Sequence, residues 1–375
     1  MTAASVALPG RDRPLIISKP GWAAGYPPPV SRSVYAAAHV AATADGGIDW
    51  ESTLGFRDHL WAHGFAVAEA MDTAQRGMGL TWPRARELIE ATAARAAARG
   101  AVVAAGAGTD QLPPGEHPLP AIVTAYEEQL SAVEAAGAQV VLLASRALAA
   151  SARSARDYLD VYGHLLRQAR RPVLVHWLGE AFDPALRGYW GGGDFRSCAD
   201  TVTELADRAG GQLAGIKLSV LDEASEVSLR RRLPAGVRLY TGDDFHYADL
   251  IKGGPDGHSD ALLGAFAAIT APAAAALHAL DAGDLAGYDA AMGPTVALSR
   301  ALFEAPTFHY KAGIAFLAWL NGLQPEFVML AGCHRLRPPG HLLRITGLAA
   351  AAGALARPAL AADRIRQYLR QAGLT

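Results

Sequence analysis

Short apolar runs alternate with stretches of helical period over the first two thirds of the chain. The runs fall at residues 34–40, 65–70, 101–105, 139–144, 172–176, 213–217 and 237–241. Each is nearly continuous in apolar residues, the pattern of strands buried on both faces, as in a parallel sheet. Helical patterns stand between them at 49–63, 82–99, 119–136, 155–168 and 195–209, the first with Asp49 placed to cap it. Asp256-Gly257-His258-Ser259 marks a short eighth strand. Strand and helix in eightfold alternation predict an α/β fold, a (β/α)8 TIM barrel. A doubly wound open sheet competes with it. That fold would open with a G-x-G-x-x-G turn, and Gly106-Ala107-Gly108 lacks the third glycine.

The strand pattern stops near residue 275. Residues 275–375 read as a C-terminal helical extension packed on a barrel of residues 33–274, and residues 1–32, rich in Pro and Gly, as an irregular lead-in. Alanine-rich residues 348–362 are interrupted by Gly353 and Pro358, so they predict packed helices and no membrane span. The 34 Lys and Arg against 36 Asp and Glu give no basic face for nucleic acid. The two cysteines, Cys198 and Cys333, lie far apart and outside any metal-ligand spacing. With no apolar leader at the start, the expectation is a cytoplasmic protein with free thiols and no metal or organic cofactor.

The chemistry concentrates at predicted strand ends, where such barrels carry their active sites. Lys217 closes the apolar run Leu213-Ala214-Gly215-Ile216-Lys217. Burial disfavours the ammonium form, and a neutral amine attacks carbonyls to form a Schiff base. The competing reading is a lysine that snorkels into solvent. Glu69 lies inside an apolar run and needs a partner or a shifted pKa. His176 reads equally as a core histidine or as a proton carrier. His39, Asp72, Thr73, Arg146, Asp243, Asp244, His246 and Asp260 complete the polar set, with Asp243 and Asp244 open to a simple capping role. Tyr310 and Lys311 stand in an aromatic stretch of the tail and read either as an amphipathic helix packed on the barrel with Lys311 in solvent, or as a lid over the barrel mouth that binds substrate.

Several segments resemble the dihydrodipicolinate synthase / N-acetylneuraminate lyase superfamily. Gly215-Ile216-Lys217 is similar to its Schiff-base motif, Gly242-Asp243-Asp244 to the Gly-Asp-Asp segment of the next strand, and Gly253–Ser259 to its Gly-Ala-Asp-Gly-x-Ile-Ser stretch. Ala44-Asp45-Gly46-Gly47-Ile48-Asp49 resembles its Asp-Gly-x-Ile-Asp turn. The tail, with Phe308-His309-Tyr310-Lys311-Ala312-Gly313, resembles the DUF993 branch. The resemblance implies a small-molecule carbonyl substrate and a homodimer or homotetramer.

The departures are as informative. The family's carboxylate-binding Thr-Thr pair falls at Thr73-Ala74, its Pro-Tyr-Tyr segment with the proton-relaying tyrosine at Arg146-Ala147-Leu148, and its Tyr-Asn segment at His176-Trp177. The expectation is a class I aldolase or hydro-lyase acting on a keto-sugar or a keto-acid-derived substrate, with Lys217 as nucleophile and His176, Glu69 or Asp72 moving the proton. Two other readings remain: a metal-dependent sugar isomerase or epimerase using Glu69, His176, Asp243 and His246, and a barrel without catalysis.

Overall fold

A computed structural model describes residues 3–374. Eight parallel strands close a barrel in sequence order: β3 (Val34–Ala37), β4 (Ala66–Glu69), β5 (Val103–Ala107), β6 (Gln139–Leu142), β7 (Val173–Leu178), β8 (Leu213–Ser219), β9 (Arg238–Thr241) and β10 (Asp260–Leu263), which pairs back onto β3. The TIM barrel expected from the apolar runs is therefore the fold, and no open sheet forms. The eighth strand begins one residue beyond the Asp256–Ser259 marker. The two strands that precede the barrel, β1 (Ala3–Val6) and β2 (Leu15–Ser18), form an antiparallel hairpin within the lead-in.

Helices follow the strands: α1 (Trp50–Ala62), α2 (Trp82–Arg99), α3 (Leu119–Ala135), the short α4 (Arg146–Ser151), α5 (Ala155–Gln168), α6 (Phe195–Ala209), α7 (Glu223–Arg230) and α8 (Tyr247–Lys252). The starts of α1, α4 and α7 are set by side-chain oxygens that accept otherwise unpaired amides. Asp49 Oδ1 accepts from Ser52 N at 3.0 Å, Ser145 Oγ from Leu148 N at 3.0 Å, and Asp222 Oδ1 from Ser225 N at 2.6 Å.

The chain divides into two compact units. One holds Arg32–Ala37 and Ala66–Leu263, and so all eight barrel strands. Its interior is filled by side chains from alternating positions, among them Tyr35, Ala68, Ala104, Val141, Leu174, Tyr240 and Leu262. The period of two also decides what faces outward. Ala68 points in, so Glu69 next to it points to the helix layer.

The other unit holds the residues up to Ser31, Ala38–Phe65 and everything from Gly264 on. Its later helices are α9 (Thr270–Asp281), α10 (Leu285–Leu302), α11 (Tyr310–Leu320), α12 (Pro339–Ala351) and α13 (Pro358–Gln371). Every residue of α11 is buried. The hairpin packs on α12 and α13 through residues such as Val6 and Ile17. Among the described residues no helix is long and apolar enough to cross a membrane.

Candidate active site

β8 carries Gly215-Ile216-Lys217, and the period of two explains the motif. Ile216 faces the helices, while Gly215 and Lys217 face the barrel interior. A Cβ on Gly215 would sit 2.8 Å from the Tyr240 ring and 2.6 Å from the Arg238 carbonyl, so the glycine makes room for the aromatic packed below the lysine. Gly242, the residue after β9, serves the same end: a Cβ there would lie 2.9 Å from Lys217 Cε. Lys217 is 7% exposed. Burial pulls its amine down to about 8, and the carboxylates of Asp244 and then Asp72 partly offset that pull.

His176 stands opposite Lys217 in the β7–β8 register, and its Nε2 lies 3.1 Å from Ser219 Oγ. The imidazole is buried. Desolvation, reinforced by the lysine charge, holds it well below the usual histidine range, so it is neutral. His176 and Asp72 line a cavity of about 440 Å3 whose wall continues through Thr109, Ser145, Arg146 and Asp183. Thus the barrel brings Lys217, His176, Asp72 and Asp244 into one polar group, with Arg146 on the wall of the adjoining cavity.

Other expected residues lie elsewhere. Glu69 does not face the lysine: Oε2 accepts from Thr92 Oγ1 on α2 at 2.7 Å and Oε1 from the Ala70 amide at 2.7 Å, which satisfies its carboxylate in the helix layer. Asp260 begins its strand and so lies at the N-terminal end of the barrel, where its oxygens take Ser33 N at 2.6 Å and Arg238 Nη1 at 3.0 Å. Asp243 orders its own loop by accepting from Phe245 N and His246 N, and its second oxygen meets His246 Nδ1 at 2.8 Å. The four side chains expected of a metal site therefore do not gather. Among the described residues no group of three or more His, Cys, Asp and Glu is arranged to hold a metal ion.

Thr73 is buried in the 3-10 turn Asp72–Ala74. His39 belongs to the second unit, where Nε2 meets Gln324 Oε1 at 2.7 Å and burial lowers the ring to about 4. In the same unit Tyr310 stacks on Phe303 and Lys311 is 1% exposed. Lys311 Nζ donates to the Phe308 carbonyl at 3.1 Å and lies over the Tyr310 ring. Neither side chain is presented to solvent, so Lys311 is not the solvated residue that the helix-packing reading expected.

The sequence reading missed the groups that shape the cavity. Arg76 is pinned in its wall, with Nε donating to Asp110 Oδ2 at 3.0 Å, Nη2 to Gln129 Oε1 at 2.7 Å and Nη1 to the Gly106 carbonyl at 3.2 Å. Thr109 and Ser145 share a hydrogen bond of 2.6 Å. Behind them three buried tyrosines hold the loop after β6: Tyr126 donates to the Leu143 carbonyl at 2.5 Å, Tyr189 accepts from Ser145 N at 3.0 Å, and Tyr162 lies 2.8 Å from Tyr189. So tyrosines support the Arg146 loop from outside, although none occupies it. Tyr189 lies in a glycine-rich loop with no periodic signal.

The DUF993 family, described as proteins of unknown function, matches residues 11–374. The chain belongs to that family. Among solved structures it is similar to a putative dihydrodipicolinate synthetase from Pseudomonas aeruginosa, at 16% identity and TM-score 0.66, covering 86% of this chain and 99% of the other. A prophage protein of the dihydrodipicolinic acid synthase family from Escherichia coli, solved with pyruvate, matches at 15% identity and TM-score 0.66 over 92% of this chain and 99% of its own. The chloride-inhibited dihydrodipicolinate synthase of Acinetobacter baumannii, also solved with pyruvate, matches at 17% and TM-score 0.63 over 87% and 100%. At these identities the likeness establishes the barrel with its added helices and places DUF993 beside the synthase fold. No curated protein matches the chain.

Proposed function

We propose that this DUF993 protein is a class I lyase that forms a Schiff base through Lys217 with a small ketone or aldehyde. The observation that carries the reading is the Lys217 amine itself: buried inside the barrel, lowered to about 8, and set opposite a neutral His176. At neutral pH about a tenth of such amines carry a free lone pair, far more than at the ordinary lysine value. Lys217 Nζ adds to the carbonyl carbon, the carbonyl oxygen leaves as water, and an iminium remains. The iminium accepts the electron pair released when an aldol C–C bond breaks, or when an α-proton departs ahead of a β-hydroxyl.

His176 takes and returns the proton. It is neutral, and its ring neighbours the amine in the strand register. Asp72, on the cavity wall, is the second proton-carrying candidate, and Asp244 stabilises the iminium charge as it forms. The likeness in fold to dihydrodipicolinate synthases, the superfamily whose Schiff-base motif Gly215-Ile216-Lys217 resembles, supports the reading. The keto-sugar and keto-acid classes are the starting candidates for substrate. Borohydride reduction with a panel of carbonyl compounds, followed by peptide mapping, is the test. A reduced adduct on Lys217 supports the proposal; adducts confined to exposed lysines, or none, reject it.

A further inference from the structure

The loop after β9, residues 242–246, packs directly on the reacting lysine and on the partner of His176. A Cβ on Gly242 would lie 2.9 Å from Lys217 Cε and would collide with Ser219 Oγ, the hydroxyl that meets His176 Nε2. Two residues on, Asp244 is buried, and its carboxylate favours the Lys217 ammonium more strongly than Asp72 does. The position of this loop therefore sets both the room and the charge around the amine. What holds the loop lies outside the barrel interior. Tyr240 points in, so Thr241 after it points to the helix layer. Thr241 is fully buried, and its hydroxyl serves two neighbours. Oγ1 donates to Glu226 Oε2 on α7 at 3.0 Å and accepts from the Asp243 amide at 3.1 Å.

A threonine hydroxyl has one proton and turns to suit its surroundings unless a fixed acceptor takes that proton. Glu226 supplies the acceptor and leaves the hydroxyl lone pairs to the Asp243 amide. Asp243 carries the order forward: Oδ1 accepts from Phe245 N at 2.8 Å and from His246 N at 3.0 Å, with Asp244 between them in the chain. On the strand side Gly242 N donates to the Leu218 carbonyl at 2.7 Å. Glu226 is a costly residue for α7 to bury. Burial raises its carboxyl to about 8, against the opposing effect of Ser259 and Thr241. A leucine would pack in the helix layer without that cost, whereas only an acceptor fixes Thr241. We infer that Thr241 and Glu226 are positioning residues for the amine: their buried hydrogen bond fixes the loop after β9 so that Gly242 and Asp244 stay against Lys217. The inference deepens the Schiff-base reading and rests on it only for what the amine does.

The test follows the amine itself. The chain has four lysines, Lys19, Lys217, Lys252 and Lys311, so protein labelled with carbon-13 at lysine Cε gives few signals to follow with pH by NMR. The Lys217 signal is the one lost in Lys217→Ala, and its midpoint in the native protein is expected at about 8. Asp244→Asn removes the favouring charge and is expected to lower the midpoint. Thr241→Val keeps the shape and loses the hydroxyl. It is expected to lower the midpoint by about half a pH unit or more, roughly a threefold change in the ratio of amine to ammonium. Glu226→Leu is expected to lower it as well, Thr241→Ser to restore it, and Thr241→Val added to Asp244→Asn to change nothing further. Three results overturn the inference: lost stability with an unmoved midpoint, a midpoint that rises because water reaches the amine, and an equal lowering with and without Asp244. If Thr241→Val does not fold, Glu226→Leu decides by the same criteria, since it puts an apolar side chain in a buried helical position. The titration needs no substrate. Absence of any trapped adduct on Lys217 therefore rejects the Schiff-base reading and leaves this test in force.

Discussion

Lys217 and His176 are neighbours across the β7–β8 pairing, both turned into the barrel, and Ser219 two residues on from the lysine receives the imidazole Nε2 at 3.1 Å. Burial, and then the Lys217 charge, lowers the proton affinity of His176, because two cations cannot share a dry interior. The amine itself is lowered to about 8 by burial, against the opposing pull of Asp244 and Asp72.

This electrostatic state sets a pH profile. Adduct formation on Lys217 is expected to rise about tenfold per pH unit below pH 8 and to level above it, since only the free amine attacks. The folded protein binds fewer protons than the unfolded chain between about 8 and the ordinary 10.5, so this group makes stability rise with pH across that window. A trapping rate that stays flat across pH 6 to 9 (roughly two decades of expected change) contradicts the assignment.

Lys217→Ala is expected to abolish both the adduct and turnover while the barrel still folds, at some cost in stability because Asp244 and Asp72 lose the charge they face. Circular dichroism checks the fold, and mass spectrometry of reduced protein checks the adduct. Residual turnover at the native rate assigns the chemistry to another residue.

His176→Ala is expected to slow the step after iminium formation by about a hundredfold or more. The adduct with a substrate should still be trappable, since the amine remains. Single-turnover kinetics separate the two steps. Loss of the adduct in step with turnover would instead give His176 a structural role only.

Glu69 is expected to behave as a structural residue. Glu69→Ala leaves Thr92 and the Ala70 amide without their buried acceptor, at a cost of about 1–3 kcal/mol in unfolding free energy. Adduct formation on Lys217 in the folded fraction should persist. Denaturant titration and trapping of the same sample distinguish this from the proton-carrying role expected of it in the sequence.

Glu226 gives a second pH-dependent signature. It is buried on α7, with Oε2 accepting from Thr241 Oγ1 at 3.0 Å, and burial raises its carboxyl to about 8. Between the ordinary 4.5 and about 8 the folded protein holds a proton that the unfolded chain has released, so stability falls as pH rises through that window. Glu226→Gln should remove a few kcal/mol of this dependence and make the variant the more stable form at alkaline pH. Melting curves of both proteins from acid to alkaline pH check it; parallel pH dependence would contradict a raised carboxyl.

Much of this protein is determined by linear pattern. Residues 65–70 and 213–217 are legible as strands because a parallel barrel buries both faces of each strand, which leaves an unbroken apolar run. Asp49 is legible as a cap because its oxygen reaches an amide three residues on. Lys217 stands out because a cation in such a run requires an explanation, and Gly215 and Gly242 beside it are explained by the space the lysine and Tyr240 occupy. Only the tertiary structure decides facing and company. One position of strand parity sends Glu69 to Thr92 and leaves Ala68 inside. Asp260 begins its strand rather than ending it, which moves it to the opposite end of the barrel from Lys217. The cavity wall is assembled from Arg76, Asp110, Ser145 and Asp183, residues on separate loops. Sequence periodicity reports how each segment meets the core, whereas an active site is an intersection of segments, and their meeting depends on strand register and loop path, which no single segment encodes.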